Sequence, residues 1–209
     1  MKLKAFFAAA LLVMAVSANA QDAIYGIKSG IITTEMDMMG QNIVQKTYFD
    51  DYGKKQANVS DFGGGQMRTI TQDGAQIMIN EAEKSATRMP SFGGGMMGGA
   101  QVNFNNLTDE YMKANGIKAL DGEETIAGKV CKKYTVTTEG MMGEQTQTVW
   151  IYKGITMKSS MSMGDMGEMV RTVTKLEEDV AVDAAMFTVP AGIEVQEFDM
   201  SQQLARQRI

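Results

Sequence analysis

The sequence predicts a mainly β (α+β) fold: one long antiparallel sheet with one or two short helices laid against it. Three observations carry this. Apolar and polar residues alternate with period two in several segments. Short glycine-containing turns separate these segments, and short turns join antiparallel neighbours. Only one stretch has the cap and composition of a helix.

The elements follow in order. Thr33–Met38 places Thr34, Met36 and Met38 on one face and Thr33, Glu35 and Asp37 on the other. Ala75–Asn80 alternates in the same way through Ala75, Ile77 and Ile79. Lys129–Thr138 and Gln145–Tyr152 are rich in Val, Thr, Tyr and Trp, which suit a pleated surface. Ile155–Met163 alternates most clearly, with Ile155, Met157, Met161 and Met163 on one face. Turns are expected at Met39-Gly40, Asp73-Gly74, Gly140–Gly143, Lys153-Gly154 and Gly164–Gly167. Thr108 is a candidate cap for a helix over Asp109–Ala114, with acids in its first turn and Asn115-Gly116 as its stop. A second short helical turn is expected after Asp183. The acidic groups Asp50-Asp51, Asp109-Glu110, Glu123-Glu124 and Glu177-Glu178-Asp179 read as solvated charges at turns or helix starts.

The first twenty residues read as an export signal. Lys2 and Lys4 precede a run of twelve apolar residues, Ala5–Val16, and Ala18-Asn19-Ala20 fits a small-x-small cleavage site before Gln21. That run is too short to span a bilayer. Cleavage leaves 18 basic against 25 acidic residues. The expected location is the periplasm, as a soluble protein.

Composition excludes much chemistry. The chain has no His and one Cys among 209 residues. A Ser-His-Asp triad, a Cys-His dyad, a His-ligated metal and an internal disulfide are all impossible. No cofactor is expected, and the composition leans away from an enzyme. A net charge of −5 argues against nucleic acid as a partner. Cys131 reads as a strand residue, with no His to activate its thiol.

Methionine is the anomaly: 20 residues, of which Met1 and Met14 belong to the signal. Three readings stand side by side. Methionine fills irregular cores. Its flexible, polarizable side chain also suits a cavity that accepts differing apolar shapes. The cavity would be lined by Met36, Met38, Ile77, Ile79, Ile155, Met157, Met161 and Met163. Thioethers also hold Cu(I) or Ag(I), and Met161, Met163, Met166 and Met169 have suitable spacing. The Gly-rich loop 89–106 carries Phe92, Met96, Met97 and Phe104, apolar residues able to form a lid. Within it, Gly93–Gly98 matches G-x-G-x-x-G, but no strand runs in and no helix opens out, so it reads as a loop.

Three C-terminal segments carry a family likeness. Gly122–Tyr134 reads G-x-E-x-I-A-G-x-x-C-x-x-Y, Val149–Lys158 follows as a strand pair, and Phe187–Ile193 closes the set. Together they resemble an exported bacterial family of unassigned function, of Bacteroidetes type. That family is similar to the outer-membrane lipoprotein carriers (LolA-like). The resemblance covers about Gly122 to Gln196, and loosely Ile24 to Tyr52. It implies a strongly curved sheet, a half-open β-barrel around an apolar cavity with a helical lid. It implies a lipid or other hydrophobic ligand, transient contact with envelope proteins or membrane, and no catalytic residue. The organisation expected is a signal segment over 1–20, a single LolA-like β domain over 21–199 and a polar tail over 200–209. The readings that stay open are an apolar-ligand carrier, a Met-based metal binder and an envelope-stress interaction protein without a ligand.

Overall fold

The computed structural model describes residues 23–38, 41–61, 65–72, 75–89, 102–140, 143–162, 164 and 167–198. The signal segment, the tail, Phe92, Met96, Met97, Met163, Met166 and the side chain of Met38 lie outside the described residues.

Twelve strands form one sheet among the described residues. The first six are β1 (Gly30–Met38), β2 (Gln41–Asp50), β3 (Lys55–Asp61), β4 (Gln66–Gln72), β5 (Ala75–Asn80) and β6 (Ser85–Met89). Helix α1 (Asp109–Ala114) follows. Then come β7 (Ile117–Ile126), β8 (Lys129–Gly140), β9 (Gly143–Tyr152), β10 (Ile155–Ser162), β11 (Glu168–Glu178) and β12 (Val195–Glu197). The spatial order is β12-β6-β5-β4-β3-β2-β1-β11-β10-β9-β8-β7. Two antiparallel meanders, β1–β6 and β7–β11, are therefore joined edge to edge by the pairing of β1 with β11. The short β12 pairs in parallel with β6.

Of the expected turns, Lys153-Gly154 takes positive φ at two successive residues, as a two-residue hairpin demands, whereas Met39-Gly40 and Asp73-Gly74 lie outside the described residues. Ala127-Gly128, which sequence reasoning did not single out as a turn, has the same geometry between β7 and β8. Gly154 has a second constraint, since a Cβ there would lie 2.5 Å from the Ile24 carbonyl oxygen. Helix α1 has the expected bounds, and the Thr108 side chain accepts from the Tyr111 amide at 3.2 Å. The turn after Asp183 is a 3-10 helix over Ala184–Phe187, capped by the Asp183 side chain.

Three clusters of buried side chains divide the two faces. Ile32, Phe49, Cys131, Trp150, Ile155, Met157 and Val173 form the first, with Tyr25 and Ile27 packed in from the segment before β1. The Tyr25 ring meets Phe49 edge-on at 5.0 Å, and burial pushes the Tyr25 hydroxyl pKa up to about 12. Amides of Ile24 and Tyr25 donate to Tyr52, and that of Gly26 donates to Lys153, so this segment closes one end of the sheet.

The other two clusters lie on the opposite face. Ala57, Ile70, Ile77, Ile79 and Ala86 are covered by Met186, Phe187, Val189 and Ile193, on the chain that crosses from β11 to β12. Ile117, Val136, Val149 and Ile151 are covered by Phe104, Leu107, Tyr111 and Met112. At roughly 1.5–3 kcal/mol per fully buried large side chain, these clusters supply the main stabilisation.

The sheet is open and curved. β7 touches β11, although β8, β9 and β10 separate them in the sheet. Two ion pairs join strands that are not neighbours in the sheet, Lys129 with Glu178 and Lys158 with Glu124 at 3.0 Å. Glu124 and Glu178, expected as solvated turn charges, are instead strand residues paired with lysines. No helix among the described residues is long and apolar enough to cross a membrane.

Candidate functional site

The inner face changes character along the strands. At the end closed by Tyr25 and Ile27, Met157 is fully buried and Ile155 and Val173 nearly so. Moving away, Val173 on β11 stands opposite Thr34 on β1, and Thr34 opposite Gln45 on β2. The next row on this face is Ser159, Arg171, Met36 and Ile43, across β10, β11, β1 and β2. Beyond it, Met161 stands opposite Met169. The same face continues over β3–β5 as Asn58, Ser60, Met67, Thr69 and Met78.

Burial follows this progression. Met36, Ile43, Met67, Met78, Met161 and Met169 are all half-buried. None belongs to the three clusters or to the side chains packed against them. A β-strand buried by ordinary packing would join a cluster along its whole inner face. Here the inner face is core at one end and a partly open methionine surface at the other.

Polar groups interleave with the methionines. The Arg171 guanidinium donates to the Gln45 side-chain oxygen at 3.3 Å. Thr47 donates to Asn58 at 2.6 Å, and Tyr25 to Gln56 at 3.4 Å. Towards β7, Trp150 is flanked by the ammonium groups of Lys158 at 4.5 Å and Lys133 at 5.1 Å. No group of three His, Cys, Asp or Glu that could hold a metal occurs among the described residues. Cys131 is buried, its thiol donates to the Lys129 carbonyl, and desolvation pushes its pKa up. The arrangement offers adaptable apolar contact, hydrogen-bonding groups and one arginine.

The residues expected to line one cavity are not all brought together. Ile155 and Met157 are in the first core cluster, whereas Ile77 and Ile79 belong to the second cluster on the opposite face. Met36 and Met161 lie on the half-buried inner surface. The alternation from Ile155 to Met161 is interrupted on one side. Thr156 opposes Ile151 but Lys158 opposes Trp150, so a bulge at Met157 shifts the register with β9. Towards β11 the period continues, and Met161 meets Met169. Phe104, expected in the lid, packs with its ring 5.7 Å from that of Tyr134 and covers the third cluster. Sequence reasoning did not single out Arg171, Ile43, Met67 and Met78. Only the register of β1–β5 and β11 places them on one face.

No family model and no curated protein matches the chain. Solved structures do. An uncharacterized conserved protein from Thermus thermophilus superposes with a TM-score of 0.56 at 8% identity, over 86% of this chain and 97% of that one. The two share the fold. Looser likenesses include MucB in complex with MucA(peri), with a TM-score of 0.49 at 13% identity over 83% of this chain and 59% of that one. A DUF1329 family protein from Desulfovibrio piger gives 0.38 at 16% identity, over 86% of this chain and 99% of that one.

Proposed function

We propose that this protein is a non-enzymatic, periplasmic carrier of LolA-like type that shields an apolar ligand against the inner face of its curved sheet. One observation carries the reading. The inner face passes from fully packed Met157 to half-buried Met36, Met67, Met78, Met161 and Met169, which stand outside every core cluster. Methionines in that position give an acyl chain a surface that adjusts to its contents. Each CH₂ taken from water is worth about 0.8 kcal/mol, so a chain of roughly ten carbons supplies the driving force without an elaborate polar site.

Native mass spectrometry of protein freshly purified from the envelope tests this. The expected result is a population heavier than the chain by one lipid-sized mass, released by organic solvent. Only the bare chain, together with no uptake of added lipid, would overturn it.

A further inference from the structure

Resting on the carrier reading, we infer that the ligand is an anionic amphiphile, one acyl chain with a carboxylate or phosphate head, and that Arg171 receives the head.

Arg171 is placed for this by the sheet. It sits on β11 between Ser159 and Met36 in the inner-face row, one row beyond the buried core and one row short of the Met161–Met169 pair. Its described hydrogen bond runs to Gln45, a neutral acceptor two strands away. Among the described residues, every other arginine reaches a carboxylate: Arg68 meets Glu81 at 2.7 Å and Arg88 meets Glu197 at 3.4 Å. Arg171 has no described carboxylate partner.

Its surroundings point the same way. The side chain is exposed to water, yet desolvation holds its guanidinium below the ordinary arginine value. The strand register puts Arg171 on the inner face of the curved sheet, beside Met36 and one row from Met161 and Met169. A cation there attracts an anion more strongly than one on a convex surface. The planar guanidinium keeps donors free beside the one given to Gln45, and a two-oxygen head matches that fork. Met36, Ile43, Met161 and Met169 flank it with apolar surface for the chain attached to the head.

The test separates this inference from the reading it rests on. The neutral probe N-phenyl-1-naphthylamine is bound first, then displaced by dodecanoate, dodecyl phosphate, dodecanol or acetate at pH 7.5. The expected result is displacement by dodecanoate or dodecyl phosphate at least tenfold more effective than by dodecanol, and none by acetate. Arg171→Gln should remove the preference for acid over alcohol, and Arg171→Lys should restore part of it. Equal displacement by acid and alcohol, in wild type and Arg171→Gln alike, would overturn the head-group assignment and leave the carrier standing. Displacement by acetate as effective as by dodecanoate would replace the amphiphile with a small anion. No binding of the neutral probe would remove both.

Discussion

The Lys153 ammonium lies 3.0 Å from the Glu178 carboxylate, tying the β9–β10 turn to the last residue of β11. Lys129 closes on the same carboxylate from β8, and the Tyr152 hydroxyl donates to it at 3.3 Å. Burial pushes the Glu178 pKa up, but the hydrogen bonds from Lys129 and Lys153 outweigh it and leave the group below its usual range.

A carboxylate depressed on folding contributes stability that is present above its unfolded value, about 4.3, and lost as pH falls through the folded one. Glu178→Gln should therefore lower Tm at pH 7 by roughly 1–3 °C, in line with partly exposed ion pairs. The gap between variant and wild type should close below about pH 4. Thermal melts from mildly alkaline to acid pH check this, and a gap independent of pH would contradict it.

Met157 and Met161 are close in sequence and differ in environment. Met157→Ala opens a hole in a filled cluster and should cost about 2–5 kcal/mol. Met161→Ala removes a half-buried side chain outside the clusters and should cost less than about 1 kcal/mol. Urea unfolding measures both. Equal costs would make the outer methionines ordinary core.

Arg68 holds the crossing chain to β4. Its guanidinium donates to the Ala185 and Met186 carbonyls at 2.8 and 3.0 Å. Arg68→Ala strips donors from a covered turn and should cost about 1–3 kcal/mol. Hydrogen exchange should show protection falling first at Val195–Glu197 and in β6 beside it. Unchanged protection there would mean that Met186, Phe187 and Ile193 hold the segment without the arginine.

The metal alternative rests on Met161, Met163, Met166 and Met169, of which Met161 and Met169 stand opposite each other across β10 and β11 and the other two lie outside the described residues. With no His in the chain to complete a mixed site, only weak Cu(I) binding is expected. A competition titration giving tight, stoichiometric Cu(I), abolished by replacing all four methionines with Leu, would favour that reading.

Much of the fold was legible because local chemistry dictates it. Thr108, Asp183 and Lys153-Gly154 set caps and a turn within a few residues of chain. β1, β5 and β10 alternate because one face of each meets protein and the other meets water. β7 was hidden because only its ends are buried, at Ile117 and Ile126, and its exposed middle, 121–125, reads as a turn. β11 was hidden because both of its faces carry polar residues, Glu177 and Glu178 among them. The site was legible in kind, as surplus methionine, but not in membership. Placing Ile77 opposite in face to Met157 takes the register across β1–β5 and β11, and the bulge at Met157 leaves no mark in the period of β10 itself.

Titration with a neutral fluorescent apolar probe tests most directly whether the outer inner-face methionines line a binding surface rather than a core. Met157 is unsuitable for the perturbation because it is packed at 0% exposure. The doubly substituted Met36→Asp, Met161→Asp protein places charge on the half-buried surface instead. One saturable site is expected in wild type, weakened at least tenfold in the variant, with Tm lowered by no more than a few degrees. Absence of saturable binding in wild type, or loss of binding only together with unfolding of the variant, would contradict the carrier reading.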